Sequence, residues 1–200
     1  MYKGVSAIAV FVMIVGGSSL ADEVIEQIEV GKKNYVKGDY AAAVTELEFA
    51  LSALRNKLSS LFMATMPEPP AFWAAESPTL EGGTALFGGG MMITRQYREQ
   101  KGDGKVKAEL VIDSPMVQAF SAVLSNPIMI ANEPQTERIR MGEVSALLNW
   151  DPDEHAGEIS LSIGGRVLAK VEGDDLSDKD VLIDLMKTWD LEAVKDVAGL

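Results

Sequence analysis

The chain contains no cysteine and a single histidine among its 200 residues. Without thiols there can be no disulfide, no thiolate metal site, no cysteine nucleophile and no lipoprotein attachment residue. The lone imidazole, His155, has no serine in a G-x-S-x-G turn to activate, so the usual nucleophile–base arrangement is missing. The glycine run at Gly88 to Gly90 lacks the lysine and Ser/Thr that a phosphate-binding loop requires. Positive charge is also scarce: 18 Lys and Arg stand against 30 Asp and Glu, a formal net charge of −12. Such a chain is repelled by phosphate backbones and anionic headgroups, which excludes nucleic acid as an expected partner and points to basic surface on any charged one.

The sequence opens MYKGVSAIAVFVMIVGGSSLADE. Lys3 precedes an apolar run from Val5 to Val15, Gly16 and Gly17 end it, and small residues at Ser19 and Ala21 flank a cleavage position before Asp22. This layout predicts a secretory signal peptide over residues 1–21, cleaved after Ala21. The run is shorter than the roughly 20 residues of a spanning helix. The expected product is a periplasmic or secreted chain with no stable membrane span after cleavage. In that compartment disulfides are permitted yet absent, so stability must come from a packed core.

Residues 22–66 read as a helical hairpin. Val24, Ile25, Ile28, Tyr35 and Val36 recur at helical spacing, with Asp22, Glu23 and Glu26 where a helix N-terminus favours negative charge. Lys37, Gly38 and Asp39 supply a basic last turn, a stop and a new N-cap. Tyr40, Val44, Leu47, Leu51, Leu54, Leu58 and Leu61 then alternate by four and three, a period that predicts a narrow seam packed on another helix, its own hairpin partner first. The hairpin resembles a single tetratricopeptide repeat: Gly31, the Gly38-Asp39-Tyr40 turn, Ala43, Leu47 and Ala50 fall at that motif's small, turn and bulky positions. It departs at Arg55, where the repeat closes with proline, and no second copy follows.

Residues 67–90 form a Pro/Gly-rich connector. Pro67, Pro69 and Pro70 in MPEPPAFW must end the helix and favour extended backbone. Phe72 and Trp73 follow at once, and three readings are open for them: a strap with both rings buried in the next domain, a docking motif for a partner, or the rim of a ligand pocket. The first is favoured because large rings more often fill cores than line sites.

From 91 to 200 the pattern alternates between periods of two and 3.6. Strands are expected at Met91 to Glu99 and Lys105 to Ile112, around a GDG turn. A helix should follow Asp113-Ser114-Pro115 and stop at Asn126-Pro127. Strands come next near Arg138 to Met141, Val144 to Trp150, and on both sides of Gly164-Gly165. Ser177 with Asp180 reads as a capping box for a last amphipathic helix through Trp189, and Leu191 to Val197 as a final turn. The fold class is therefore α+β: an antiparallel helical hairpin, then an antiparallel sheet with helices packed on one side. The element order from Met91, with the Asp113 to Pro115 start, the Ser125 to Pro127 stop and the GGRVLAKVEG strand, resembles the α+β sandwich of PsbP-like proteins. The whole chain is similar to an uncharacterised family of exported bacterial proteins. That resemblance implies a binding or assembly module and supplies no catalytic residue.

Tyr40, Phe72 and Trp73 are the candidate partner- or ligand-binding residues. Asp151, Asp153 and His155, in DPDEHAGE, are the only metal candidates. Their spacing fails the calcium-loop pattern, since no glycine stands at its sixth position, and a solvated acidic turn is the plainer account. No cofactor is expected. The function anticipated is that of an exported accessory protein working through an unidentified protein partner, with a small-ligand-binding domain and an unrecognised enzyme as the alternatives.

Overall fold

The computed structural model describes residues 20–81, 90–124 and 135–200. Residues 1–19 of the expected signal segment, the glycine loop at 82–89 and the Asn126-Pro127 stop lie outside them, while Leu20 and Ala21, ahead of the expected cleavage position, belong to the first helix. Contacts divide the chain into two compact units, Met1–Arg55 and Asn56–Leu200, with the boundary inside the second helix.

In the first unit, α1 (Leu20–Val36) turns into α2 (Tyr40–Ala64), which runs on past the boundary. The turn follows the sequence closely. Gly38 adopts φ 82°, which a side chain would resist, and the Asp39 carboxylate accepts the Ala42 backbone N–H at 3.2 Å as an N-cap. The helices meet through small residues. A Cβ added at Gly31 would fall 2.9 Å from Leu47 Cγ and 3.4 Å from the Ala43 carbonyl oxygen.

The second unit holds an antiparallel sheet. Its strands are β1 (Trp73–Ala75), β2 (Thr79–Glu81), β3 (Met91–Glu99), β4 (Lys105–Ile112), β5 (Thr136–Met141), β6 (Val144–Asp151), β7 (Ala156–Ile163) and β8 (Val167–Asp174). Its helices are α3 (Pro115–Leu124), α4 (Asp180–Thr188) and α5 (Leu191–Ala198). The strand order is β1–β3–β4–β8–β7–β6–β5, and β2 pairs with β3 beside β1. The α+β class holds, with the hairpin ahead of the sheet.

Side-chain alternation separates two faces. On one face Ile93 and Tyr97 of β3, Ala108 and Leu110 of β4, Ile159 and Leu161 of β7, and Ala169 and Val171 of β8 are fully buried. Leu182, Leu185 and Met186 of α4, Val194 of α5, and Phe62 and Met66 close that core. The exception to one-sided packing is α3. Its Val117 and Phe120 cover Val111 and Leu168, which point to the opposite face, and Ser121 meets Ser162 at 2.8 Å.

Two local expectations are corrected, and a third is made specific. The connector contains β1 and β2, each of three residues, which is too short for alternation to register in sequence. The expected Asp113-Ser114-Pro115 start of α3 is present: Ser114 is the cap, its hydroxyl accepting from Met116 N–H, and Asp113 turns to Arg166. The proposed Ser177–Asp180 box does not form. Asp178 accepts the Asp180 N–H at 2.8 Å, and α4 begins at Asp180.

Candidate functional site

The predicted leucine seam of α2 is only partly spent on the hairpin, through Leu47 over Gly31 of α1. Ala43 and Ala50 are the buried positions of its first half, whereas Tyr40, Val44, Leu47, Leu51, Leu54 and Leu61 are each 44–62% exposed. Leu58 alone is half-buried, packed against the sheet core. The period was legible, but not which row α1 would choose. The small-residue row beside the seam allows the closer backbone approach, so α1 meets α2 there. On α1, Ile25, Ile28, Tyr35 and Val36 are exposed as well. An apolar stripe of this length on a charged chain marks a contact surface more often than a scattered set of exposed side chains does. At its start Tyr40 and Tyr35 pack edge to face, ring centroids 5.5 Å apart.

The proline–aromatic joint is fastened by its backbone. The Pro67 carbonyl accepts Tyr97 OH at 2.6 Å and Arg95 Nη1 at 2.9 Å, and Arg95 Nε donates to the Glu76 carbonyl at 3.0 Å. Burial raises the Tyr97 hydroxyl well above the ordinary tyrosine range, keeping it a neutral donor. Pro70 then accepts the Trp73 N–H at 3.1 Å, closing a turn that holds Phe72 at φ 68°. The strap expectation holds for one ring only. Trp73 packs, half-buried, on the core, while Phe72 is 70% exposed. The correction has a physical cause: a left-handed φ at Phe72 aims consecutive side chains apart, and a large residue takes that conformation only under tertiary constraint.

Asp151, Asp153 and His155 do not converge on a cation position. Asp151 spends Oδ1 on the backbone N–H groups of Asp153 (2.9 Å) and Glu154 (3.2 Å) and Oδ2 on Gln135. The N–H groups of Glu154 and Asp153 hold its carboxyl below the usual range. His155 Nδ1 lies 3.0 Å from the Leu176 carbonyl, whose own N–H returns to His155 O at 2.9 Å. The loop is thus a turn that pins the chain ahead of α4. Among the described residues no three His, Asp or Glu side chains are grouped as metal ligands.

Two polar features escaped sequence reasoning. On the sheet face opposite the main core, Glu109 has only 8% of its side chain exposed, and its Oε2 lies 3.0 Å from both Lys107 Nζ and Lys170 Nζ. The register sets Lys107 across from Glu172 and Glu109 across from Lys170, a checkerboard of opposite charges. Burial works against the Lys170 ammonium, but Glu172 and Glu109 more than offset it and its pKa is raised. The hydrogen bond from Lys170 lowers that of Glu172. The signal was present in the i, i+2 charges of KVKAE and AKVE, but it needs the pairing register to be read. The second feature is a bidentate pair, Arg166 Nε and Nη2 on Asp113 Oδ1 and Oδ2 at 2.7 and 2.8 Å. Arg166 Nη1 also reaches the Ala198 carbonyl at 3.1 Å, so one side chain ties the start of α3 to the end of α5.

Among the described residues no helix is long and apolar enough to cross a membrane. No family model, no curated protein and no solved structure matches this chain.

Proposed function

We propose that this chain is an exported accessory protein that acts by protein–protein contact and not by catalysis, with the helical hairpin as its contact element. The observation that carries this reading is the exposed seam of α2, where large apolar side chains recur with a helix-packing period and lack cover. The tetratricopeptide-like hairpin and the signal-like N-terminus support the same reading. The acidic surface disfavours anionic partners.

Site-specific photo-crosslinking in living cells tests this. A photoreactive residue at position 47, 51 or 54 should give protein adducts of discrete mass, and one at position 187, on the sheet unit, should not. Introducing glutamate at the neighbouring seam leucines should abolish the adducts. Equal or absent crosslinking at the seam and control positions refutes the reading. Release of the chain by osmotic shock checks export.

A further inference from the structure

We infer that the seam of α2 pairs with the same seam of a second copy, antiparallel, so that two hairpins associate through their long helices. The inference rests on the contact reading above and names its partner. The seam positions 40, 44, 47, 51, 54, 58 and 61 fill three heptads. With Leu47 and Leu54 at d and Val44 and Leu51 at a, an antiparallel partner stacks each a against a d. Leu51 then faces the partner's Leu54, and by the two-fold axis Leu54 the partner's Leu51. The flanking charges choose this orientation. Glu48 and Arg55 occupy successive e positions, and antiparallel packing sets e against e. Glu48 of one copy therefore meets Arg55 of the other, and two-fold symmetry repeats the pair. In a parallel pairing the g position opposite Arg55 is Ala50 and the e position opposite Lys57 is Phe62, so no complementary pair forms. Neither Glu48 nor Arg55 has a charged partner within its own chain among the ion pairs of the described residues. Leu51 and Leu54, at the centre of the proposed contact, are 45% and 46% exposed, so their apolar surface is available to a partner without unfolding anything.

The test uses the full chain as processed and purified from its host. Sedimentation equilibrium at tens of micromolar should give twice the mass of one chain. Leu51→Glu with Leu54→Glu should give a monomer whose far-UV circular dichroism is unchanged, because both side chains are exposed. Glu48→Arg alone and Arg55→Glu alone should each weaken association at least tenfold by facing like charges, and the double swap Glu48→Arg/Arg55→Glu should restore it. The absence of native cysteine allows a direct check of orientation. Chains carrying Leu51→Cys should form disulfides with chains carrying Leu54→Cys, and Val44→Cys with Leu61→Cys. Val44→Cys should not couple to itself. A monomer at every concentration, single swaps without effect, or efficient Val44→Cys self-coupling overturns the proposal. A monomer that still gives seam-dependent adducts to a different protein overturns the second-copy assignment alone and leaves the contact reading standing.

Discussion

The Pro67 carbonyl oxygen is shared by two donors, and that sharing predicts a specific departure from additivity. Tyr97 OH lies at 2.6 Å and Arg95 Nη1 at 2.9 Å from this oxygen, Pro67 is buried, and the Arg95 guanidinium lies 5.7 Å from the centroid of the Tyr97 ring. Tyr97→Phe removes one donor and keeps the ring, and the oxygen retains Arg95. The expected cost is about 1 kcal/mol, the net value of an ordinary hydrogen bond. Arg95→Met keeps an unbranched stem against the sheet and leaves Tyr97 on the oxygen. The Glu76 carbonyl it abandons is on an exposed residue and reaches water, so roughly 1–2 kcal/mol is expected. With both changes the buried oxygen has no donor, and a further desolvation penalty of about 1–2 kcal/mol appears that neither single variant shows. Urea unfolding at pH 7, followed by tryptophan fluorescence and circular dichroism together, measures all four corners of the cycle. The slope with urea should stay constant and only the midpoint move. If the double variant equals the sum of the singles to within about 0.4 kcal/mol, the oxygen is not a shared buried acceptor and the account of the joint fails.

Glu109→Gln removes the charge between two lysines that stay partly exposed and keep Glu172. The loss should therefore fall below the 3–5 kcal/mol of a fully buried pair, at about 2 kcal/mol, seen as a Tm about 4–8 °C lower; an unchanged Tm contradicts the buried ladder. Trp73→Ala should destabilise by about 2 kcal/mol, half the usual cost for a buried tryptophan, while Phe72→Ala should lie within about 0.5 kcal/mol of the parent; chemical denaturation that reverses this order would show that the strap holds by the wrong ring. Asp113 and Glu172 have lowered folded pKa values, so their contribution is present above the unfolded carboxylate pKa and is lost as pH falls through the folded one. Melting temperature should drop on acidification below about pH 4.5, and Asp113→Asn should flatten its share of that slope, whereas a parent-like slope in the variant would count against the Arg166 clamp. Lys107 and Lys170 have raised pKa values, so their contribution is complete below about pH 10 and declines only as pH rises through the folded values; a loss already at pH 8–9 would contradict the ladder.

Much of the architecture was readable because it rests on local codes. Gly38-Asp39 stops one helix and caps the next, and Gly164-Gly165 adopt positive φ in the three-residue connection between β7 and β8, where Arg166 N–H closes on the Ile163 carbonyl. What escaped depends on partners distant in sequence. Nothing near Asp113 says that Arg166 will reach it, and nothing near Glu109 says that register will set Lys170 across from it. β1 and β2 were hidden because three residues carry no period, and their pairing is dictated by the free edge of β3. The seam of α2 was visible as a period, but a period states that a face is apolar without stating what covers it. Phe72 shows the limit of composition: beside Trp73 it reads as a second core ring, and one backbone angle sends it outward.

The two short strands laid along β3 also bear on how this sheet can associate with others. Continuous growth by strand addition needs two open, complementary edges, so that each molecule receives one neighbour and templates another. Here β1 occupies Tyr97 to Glu99 and β2 occupies Met92 to Thr94, while the Glu76 N–H takes the Gln96 carbonyl between them. That leaves β5, with Arg138 and Arg140, as the outer strand at the far side. Among the described residues the near terminus is therefore β1 and β2 themselves, two outer strands of three residues each against the six of β5, and such short, interrupted edges are poorer templates for strand addition than one continuous strand.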